Sequence, residues 1–226
     1  MKWIPLAMLA ISMGAQADYL TQVDRFASST EGWGGGANTT HISTAPGQGY
    51  LQLSRPLNDR FHIAVNNTAQ WSGNLLAGGV TALTMDLRQT MGPDPLAMRL
   101  MVWGDGGIWA SKNTTPINGS WASYTFGLSG EDLVFVTHDT GGPLGPGGSG
   151  VLADTLANVH RIQLRHDAAN PTPPGEHPPH VAATIGIDNV AAIPEPGTMA
   201  YMLCAGTGLF LYRSARRKKG ITPRRP

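Results

Sequence analysis

The stretch Val80-Thr81-Ala82-Leu83-Thr84-Met85-Asp86-Leu87-Arg88-Gln89 decides the fold class. Thr81, Leu83, Met85 and Leu87 share one side of an extended chain, and Thr84, Asp86 and Arg88 share the other. A period of two marks a half-buried β-strand; a helix would return its apolar residues every three or four positions. The same division recurs downstream. Ala122, Tyr124, Phe126 and Leu128 oppose Ser123 and Thr125, and His160, Ile162 and Leu164 oppose Arg161, Gln163 and Arg165.

Working outward, short β-branched and aromatic runs recur between clusters of Gly, Pro, Asn and Asp. Strands are predicted at Tyr50 to Leu53, Phe61 to Asn66, Val80 to Gln89, Leu96 to Trp103, Ile108 to Lys112, Trp121 to Leu128, Leu133 to Thr137, Val159 to His166 and Ala183 to Val190. Helical periodicity is almost absent between Asp18 and Ala192, so this body reads as one all-β domain, a two-sheet sandwich. Asp105-Gly106 is predicted to turn a hairpin of type I′, which pairs Trp103 with Ile108 and Val102 with Trp109. The two indoles then point to opposite faces. Trp109 joins Leu96, Met98, Leu100 and Val102 toward the core, and Trp103 joins Arg99 and Lys112 on a mixed, outward face. Thr140 to Gly150 and Asn170 to Pro179 read as Gly- and Pro-rich loops, and Leu152 to Val159 as a helical turn or two.

Phe26, Glu31, Gly32 and Trp33 near the start, Leu156-Ala157-Asn158-Val159 before the penultimate strand, and Ile187-Asp188-Asn189-Val190 in the last strand resemble the jelly-roll modules of laminin B and galactose-binding type. The resemblance implies a jelly-roll-like sandwich and, at Asp24, Glu31 and Asp188, carboxylates suited to Ca2+, a hard cation that takes oxygen ligands in loops.

The two ends of the chain read as addresses. Met1-Lys2, the apolar Ile4 to Met13 and the small-x-small Ala15-Gln16-Ala17 form the pattern of a cleaved signal peptide over residues 1–17. At the other end Pro194-Glu195-Pro196-Gly197 precedes an apolar run, Thr198 to Tyr212, and then a basic stop containing Arg213, Arg216, Arg217, Lys218 and Lys219. Breaker, greasy segment and cations in that order suit a transmembrane helix held by the positive-inside rule. Residues 193–220 resemble the PEP-CTERM sorting domain. That resemblance implies recognition of Pro194-Glu195-Pro196 by an exosortase-type transpeptidase, anchorage in the inner membrane before processing, and delivery to the cell surface or extracellular matrix.

With the tail set aside, Asp18 to Ala192 holds eight Lys or Arg against fourteen Asp or Glu, an excess of six negative charges. A body of that sign lacks the clustered cations that phosphate neutralisation needs, so nucleic acid is not an expected partner. The one cysteine, Cys204, falls in the apolar tail, and the body must hold together by burial without a disulfide.

Patterns with catalytic meaning are few. Gly145-Pro146-Gly147-Gly148-Ser149-Gly150 spells GxGxxG but lacks the feeding strand and opening helix of a nucleotide site. His177 and His180 lie in a proline-rich loop that fixes no ligand geometry, and the neighbours His138-Asp139 and His166-Asp167 point opposite ways in a strand. A glycosidase pair, such as Asp86 with Glu131 or Asp132, would have to be assembled by the fold. What remains is the mixed face: Arg99 and Trp103, with Asp86, Arg88, Arg161, Gln163 and Arg165 expected on the same sheet. An aromatic beside polar forks suits a sugar. The expectation is a non-catalytic surface or matrix protein that contacts polysaccharide; a glycan-active enzyme and a purely structural envelope protein are the alternatives.

Overall fold

The computed structural model describes residues 18–195 apart from 46, 57–61, 94, 138–147, 169–170, 172–177 and 179. Residues 1–17, with Ala15 and Ala17 of the expected signal peptide, Pro196 and Gly197 of the expected sorting motif, the apolar run, the basic run, His138, Asp139, His177 and residues 145–147 of the glycine-rich pattern lie outside the described residues. The chain divides into two compact units between Ile193 and Pro194. The first carries the fold.

Its elements run α1 (Asp18–Thr21), β1 (Val23–Asp24), β2 (Trp33–Gly34), β3 (Asn38–Ala45), β4 (Gln48–Arg55), β5 (Ala64–Asn67), β6 (Val80–Met91), β7 (Leu96–Gly104), β8 (Gly107–Ser111), β9 (Thr115–Ile117), β10 (Ala122–Gly127), β11 (Leu133–Thr137), α2 (Leu152–Ala157), β12 (Val159–His166) and β13 (Ala183–Pro194). They form two sheets. The first has the order β10-β6-β13-β4-β3 with β1 on β13; the second has the order β11-β8-β7-β12-β5-β2 with β9 on β7. Late strands occupy the middle of both sheets, so neither sheet is complete until β12 and β13 have inserted.

The alternation seen in the sequence becomes the core. Leu83, Met85 and Leu87 of β6, Leu51 and Leu53 of β4, and Ile185 and Ile187 of β13 are fully buried, facing Leu100 and Val102 of β7 and Ile162 and Leu164 of β12. Each such side chain contributes roughly 1.5–3 kcal/mol by leaving water. The all-β two-sheet sandwich expected from periodicity is therefore the observed architecture. No helix among the described residues is long and apolar enough to cross a membrane.

Several boundaries differ from expectation for physical reasons. β3, Asn-Thr-Thr-His-Ile-Ser-Thr-Ala, has no buried face because it is the outer strand of its sheet, and so shows no alternation to read. β9 contains Pro116, tolerated because it lies at a sheet margin beside β7. β13 continues past Val190 to Pro194: Ala191 pairs with Val23, and Thr81 Oγ1 donates to the Ile193 carbonyl at 3.2 Å.

The hairpin register holds, with Trp103 opposite Ile108 and Val102 opposite Trp109. Its turn is not type I′. Positive φ falls on Gly107 at 112°, and neither Asp105 nor Gly106 has it. The tip is packed instead: a Cβ on Gly106 would stand 2.0 Å from the Val151 carbonyl oxygen, and one on Gly104 2.5 Å from that of Thr155. Glycine here makes room for α2.

Candidate functional site

Asp24 ends β1 beside Val190. Its Oδ2 accepts the indole N–H of Trp33 at 2.7 Å, the indole N–H of Trp71 at 2.6 Å and the Gln70 amide at 3.1 Å. Glu31 stands at positive φ, 48°, and the backbone N–H groups of Phe26, Ala27 and Arg25 support its carboxylate. Burial raises the Glu31 pKa first, those backbone bonds oppose the rise, and the charge of Asp24 adds to it. Asp188 belongs to a different group. Burial raises its pKa, the Asn189 N–H works against that, and neighbouring Asp86 adds to the rise.

This arrangement does not suit calcium. Ca2+ requires several oxygens with lone pairs turned to one point, whereas the oxygen of Asp24 is committed to three N–H donors and Glu31 to backbone donors. Among the described residues no three His, Cys, Asp or Glu side chains gather closely enough to hold a metal ion. Asp24 and Glu31 are joints of the fold, tying the β1–β2 segment to the Asn67–Trp71 turn, with Asn67 Nδ2 and Gln70 Nε2 both donating to the Glu31 carbonyl. Asp132 is likewise a turn residue, accepting from the Ser129 N–H and hydroxyl. Asp86 accepts from Asn189 Nδ2 at 2.8 Å.

The mixed face of the second sheet does assemble. Register places Trp103 beside Arg161, Met101 beside Gln163 and Arg99 beside Arg165; Gln163 then neighbours Asn66, which neighbours Gly34. Met101, Trp103, Ile108 and Ala110 form an apolar cluster of their own, separate from the main core. Asp86 and Arg88, expected on this sheet, belong to β6 in the other one. The sequence could not reveal this, because alternation says which side of a strand is polar and not which sheet the strand enters.

Exposure along the face is also unlike the expectation. Arg99 is 4% exposed and Arg165 2% exposed. Arg99 donates to the backbone carbonyls of Ser111 and Lys112, and Arg165 pairs with the fully buried Asp167 at 2.6 Å. Burial lowers the pKa of both guanidinium groups, opposed by Asp167, and both serve the structure of the sheet end rather than an outward surface. Trp103 is only 9% exposed, and the Arg161 guanidinium lies 4.0 Å from its ring centroid. One face of that indole is therefore occupied by a cation.

Past Arg161 the face opens into a pocket of about 370 Å³ lined by Gly32, Gly34, Asn66, Thr68 and Arg161. A Cβ on Gly34 would meet nothing within 4 Å. The lining residue Asn66 is held from β12: Gln163 Nε2 donates to Asn66 Oδ1 at 2.8 Å. Gln163 Oε1 and Trp103 Nε1 are buried and find no hydrogen-bond partner, leaving an acceptor and a donor on this face unsatisfied by the fold. Asn66, Thr68 and Gly34 were not singled out from the sequence. The available signal was the opposition of Ala64 and Asn66 to Val65 in β5.

No family model matches the chain, and no curated protein does. Solved structures do. An exo-β-agarase superposes with a TM-score of 0.51 at 16% identity over 77% of this chain and 25% of its own. The agarase AgWH50C gives 0.51 at 14% identity over 77% and 26%. A family 11 carbohydrate-binding module of the cellulosomal cellulase Lic26A-Cel5E of Clostridium thermocellum gives 0.49 at 12% identity over 76% and 92%. At these identities the likeness is one of fold, and the chain spans about a quarter of the agarases that it matches.

Proposed function

We propose that this chain is an exported, non-catalytic protein whose sandwich binds polysaccharide in the pocket beside Arg161, and whose C-terminal segment is a PEP-CTERM sorting signal. The observation that carries the binding reading is the convergence of Asn66, Thr68 and Arg161 on one open pocket. Amide, hydroxyl and guanidinium groups supply directed hydrogen bonds to sugar hydroxyls. Trp103 is not a free stacking platform in this reading; its ring holds the Arg161 guanidinium in place. The fold shared with part of an exo-β-agarase supports a polysaccharide context.

The test is retardation of the full-length protein in native gels containing agarose, mixed-linkage β-glucan or xylan, with Asn66→Ala and Arg161→Ala as variants. Retardation in at least one gel, reduced by both substitutions, is the expected result. Mobility unaffected by all three polysaccharides overturns the binding reading, and release of reducing ends from any of them overturns the non-catalytic one. For the address, Glu195→Ala is expected to block removal of the tail in the native host; unchanged processing would sink the sorting claim.

A further inference from the structure

The solvent face of the first sheet carries a second aromatic arrangement that the pocket does not use. Trp121 immediately precedes β10, where Ala122 pairs with Leu87, so it stands beside Arg88 of β6. The Arg88 guanidinium carbon lies 4.7 Å from the Trp121 ring and 4.8 Å from the Tyr50 ring, and the two rings meet edge to face at 5.5 Å and 77°. The ring rests on a glycine. A Cβ on Gly186, in the interior of β13, would stand 2.8 Å from Trp121 Cη2 and 3.2 Å from Tyr50 Cδ2. Glycine inside a strand weakens it, and its usual reason is the close approach of another group. Here that group is the indole. Although held from several sides, Trp121 remains 40% exposed.

The surroundings supply polar partners. Gly186 pairs with Gln52, and Gln52 pairs with Thr40, so an amide and a hydroxyl follow the indole across the sheet. Gln52 is half-buried and Thr40 exposed. Asp86 and Asp188 lie two residues along β6 and β13 on the same face. The Arg88 charge is engaged with ring faces, so an approaching anion would meet those two carboxylates. A neutral ring with hydroxyls meets no such penalty.

We propose that Trp121, seated over Gly186 and braced by Arg88 and Tyr50, is a second saccharide site that stacks a neutral pyranose of a polysaccharide chain, with Gln52 and Thr40 as hydrogen-bonding partners. It takes its ligand class from the polysaccharide reading above and shares none of its residues. The two sites lie on the outer faces of different sheets, so one chain can hold two strands of polysaccharide.

The test uses the full-length protein in the same agarose, mixed-linkage β-glucan and xylan gels, comparing Trp121→Ala, Gly186→Ala and Arg161→Ala singly and Trp121→Ala with Arg161→Ala together. Gly186→Ala keeps the indole but displaces it, which guards against a simple loss of an aromatic residue. The expected result is about a tenfold weaker retention for Trp121→Ala and for Gly186→Ala, rescued in Trp121→Tyr, with the double variant weaker than either parent. Retention lost with Trp121→Ala but kept with Arg161→Ala supports this site and sinks the pocket. Retention unchanged by Trp121→Ala, with or without a drop in melting temperature, overturns this site and leaves the pocket standing. A wild-type protein that none of the three gels retards overturns both.

Discussion

The indole N–H of Trp71 donates to Asp24 Oδ2 at 2.6 Å across 47 positions of sequence. Trp33 makes the same bond to the same oxygen at 2.7 Å, so one carboxylate secures two buried tryptophans and, through Gln70, a turn. Asp24→Ala is expected to destabilise the protein by about 3–5 kcal/mol, since it strands buried donors that were bonded to a charge. Asp24→Asn, which keeps one acceptor, should lose less. Urea unfolding followed by tryptophan fluorescence checks both, and a loss below about 1 kcal/mol for Asp24→Ala would show that the cluster is not a joint.

The same cluster gives the metal prediction. With Asp24 Oδ2 and the Glu31 carboxylate turned to N–H donors, melting temperature is expected to be the same with chelator and with millimolar calcium. Stabilisation that saturates with calcium, as linkage requires of a ligand bound only by the folded state, would restore the carboxylates to the role expected from the jelly-roll resemblance.

The burial of His166 predicts a loss of stability in mild acid. His166 is 7% exposed, and its Nδ1 lies 2.8 Å from the Ala97 carbonyl, which as an acceptor places the proton on Nδ1. Burial lowers its pKa, against smaller opposing contributions from that bond and from Asp167. The unfolded chain therefore binds the proton more readily. Its contribution is complete above the ordinary imidazole value of about 6.5 and is lost as pH falls through that value toward the lower folded one. Glu31 and Asp188, both raised, act in the opposite sense in the carboxylate range, where their contribution is lost as pH rises. Melting temperature should drop as pH falls from neutrality to about 5.5, and His166→Asn should flatten that drop. Identical slopes would assign the effect to another group.

The hairpin tip offers a steric test without backbone strain. Gly106→Ala would push a methyl group into the Val151 carbonyl and the Thr155 hydroxyl, and a loss of about 2–3 kcal/mol is expected. Gly130→Ala is the control. Nothing lies within 4 Å of its Cβ position and its φ is not positive, so its change should stay within about 0.5 kcal/mol. Equal effects at the two positions would show that α2 does not pack on the hairpin.

Which of these features could be read beforehand follows the period of the strands. β6 alternates cleanly because it has one face in the core, whereas β7 and β12 are buried on both faces over most of their length and were legible as apolar runs bounded by turn residues. β3 was not, since a marginal strand with no buried face has no pattern to reveal. The site was half legible. Parity places Arg161 and Gln163 on one side of β12, and the pairing of β12 with β7 brings Trp103 beside them. Asn66 reaches Gln163 across 97 positions, a contact that depends on β12 inserting between β7 and β5.

Periodicity therefore determined that this body is a β-sandwich and which side of each strand is apolar, because a pleated chain sends successive side chains to opposite faces whatever it pairs with. The tertiary structure decided everything that depends on which strands are neighbours. Arg88 went to the first sheet with Trp121 and Tyr50, Arg161 to the second with Trp103, and Asp24 to two tryptophans. Those outcomes arise from pairing between strands far apart in sequence, where the energy of burying a common core selects the neighbours and short-range pattern carries no record of the choice.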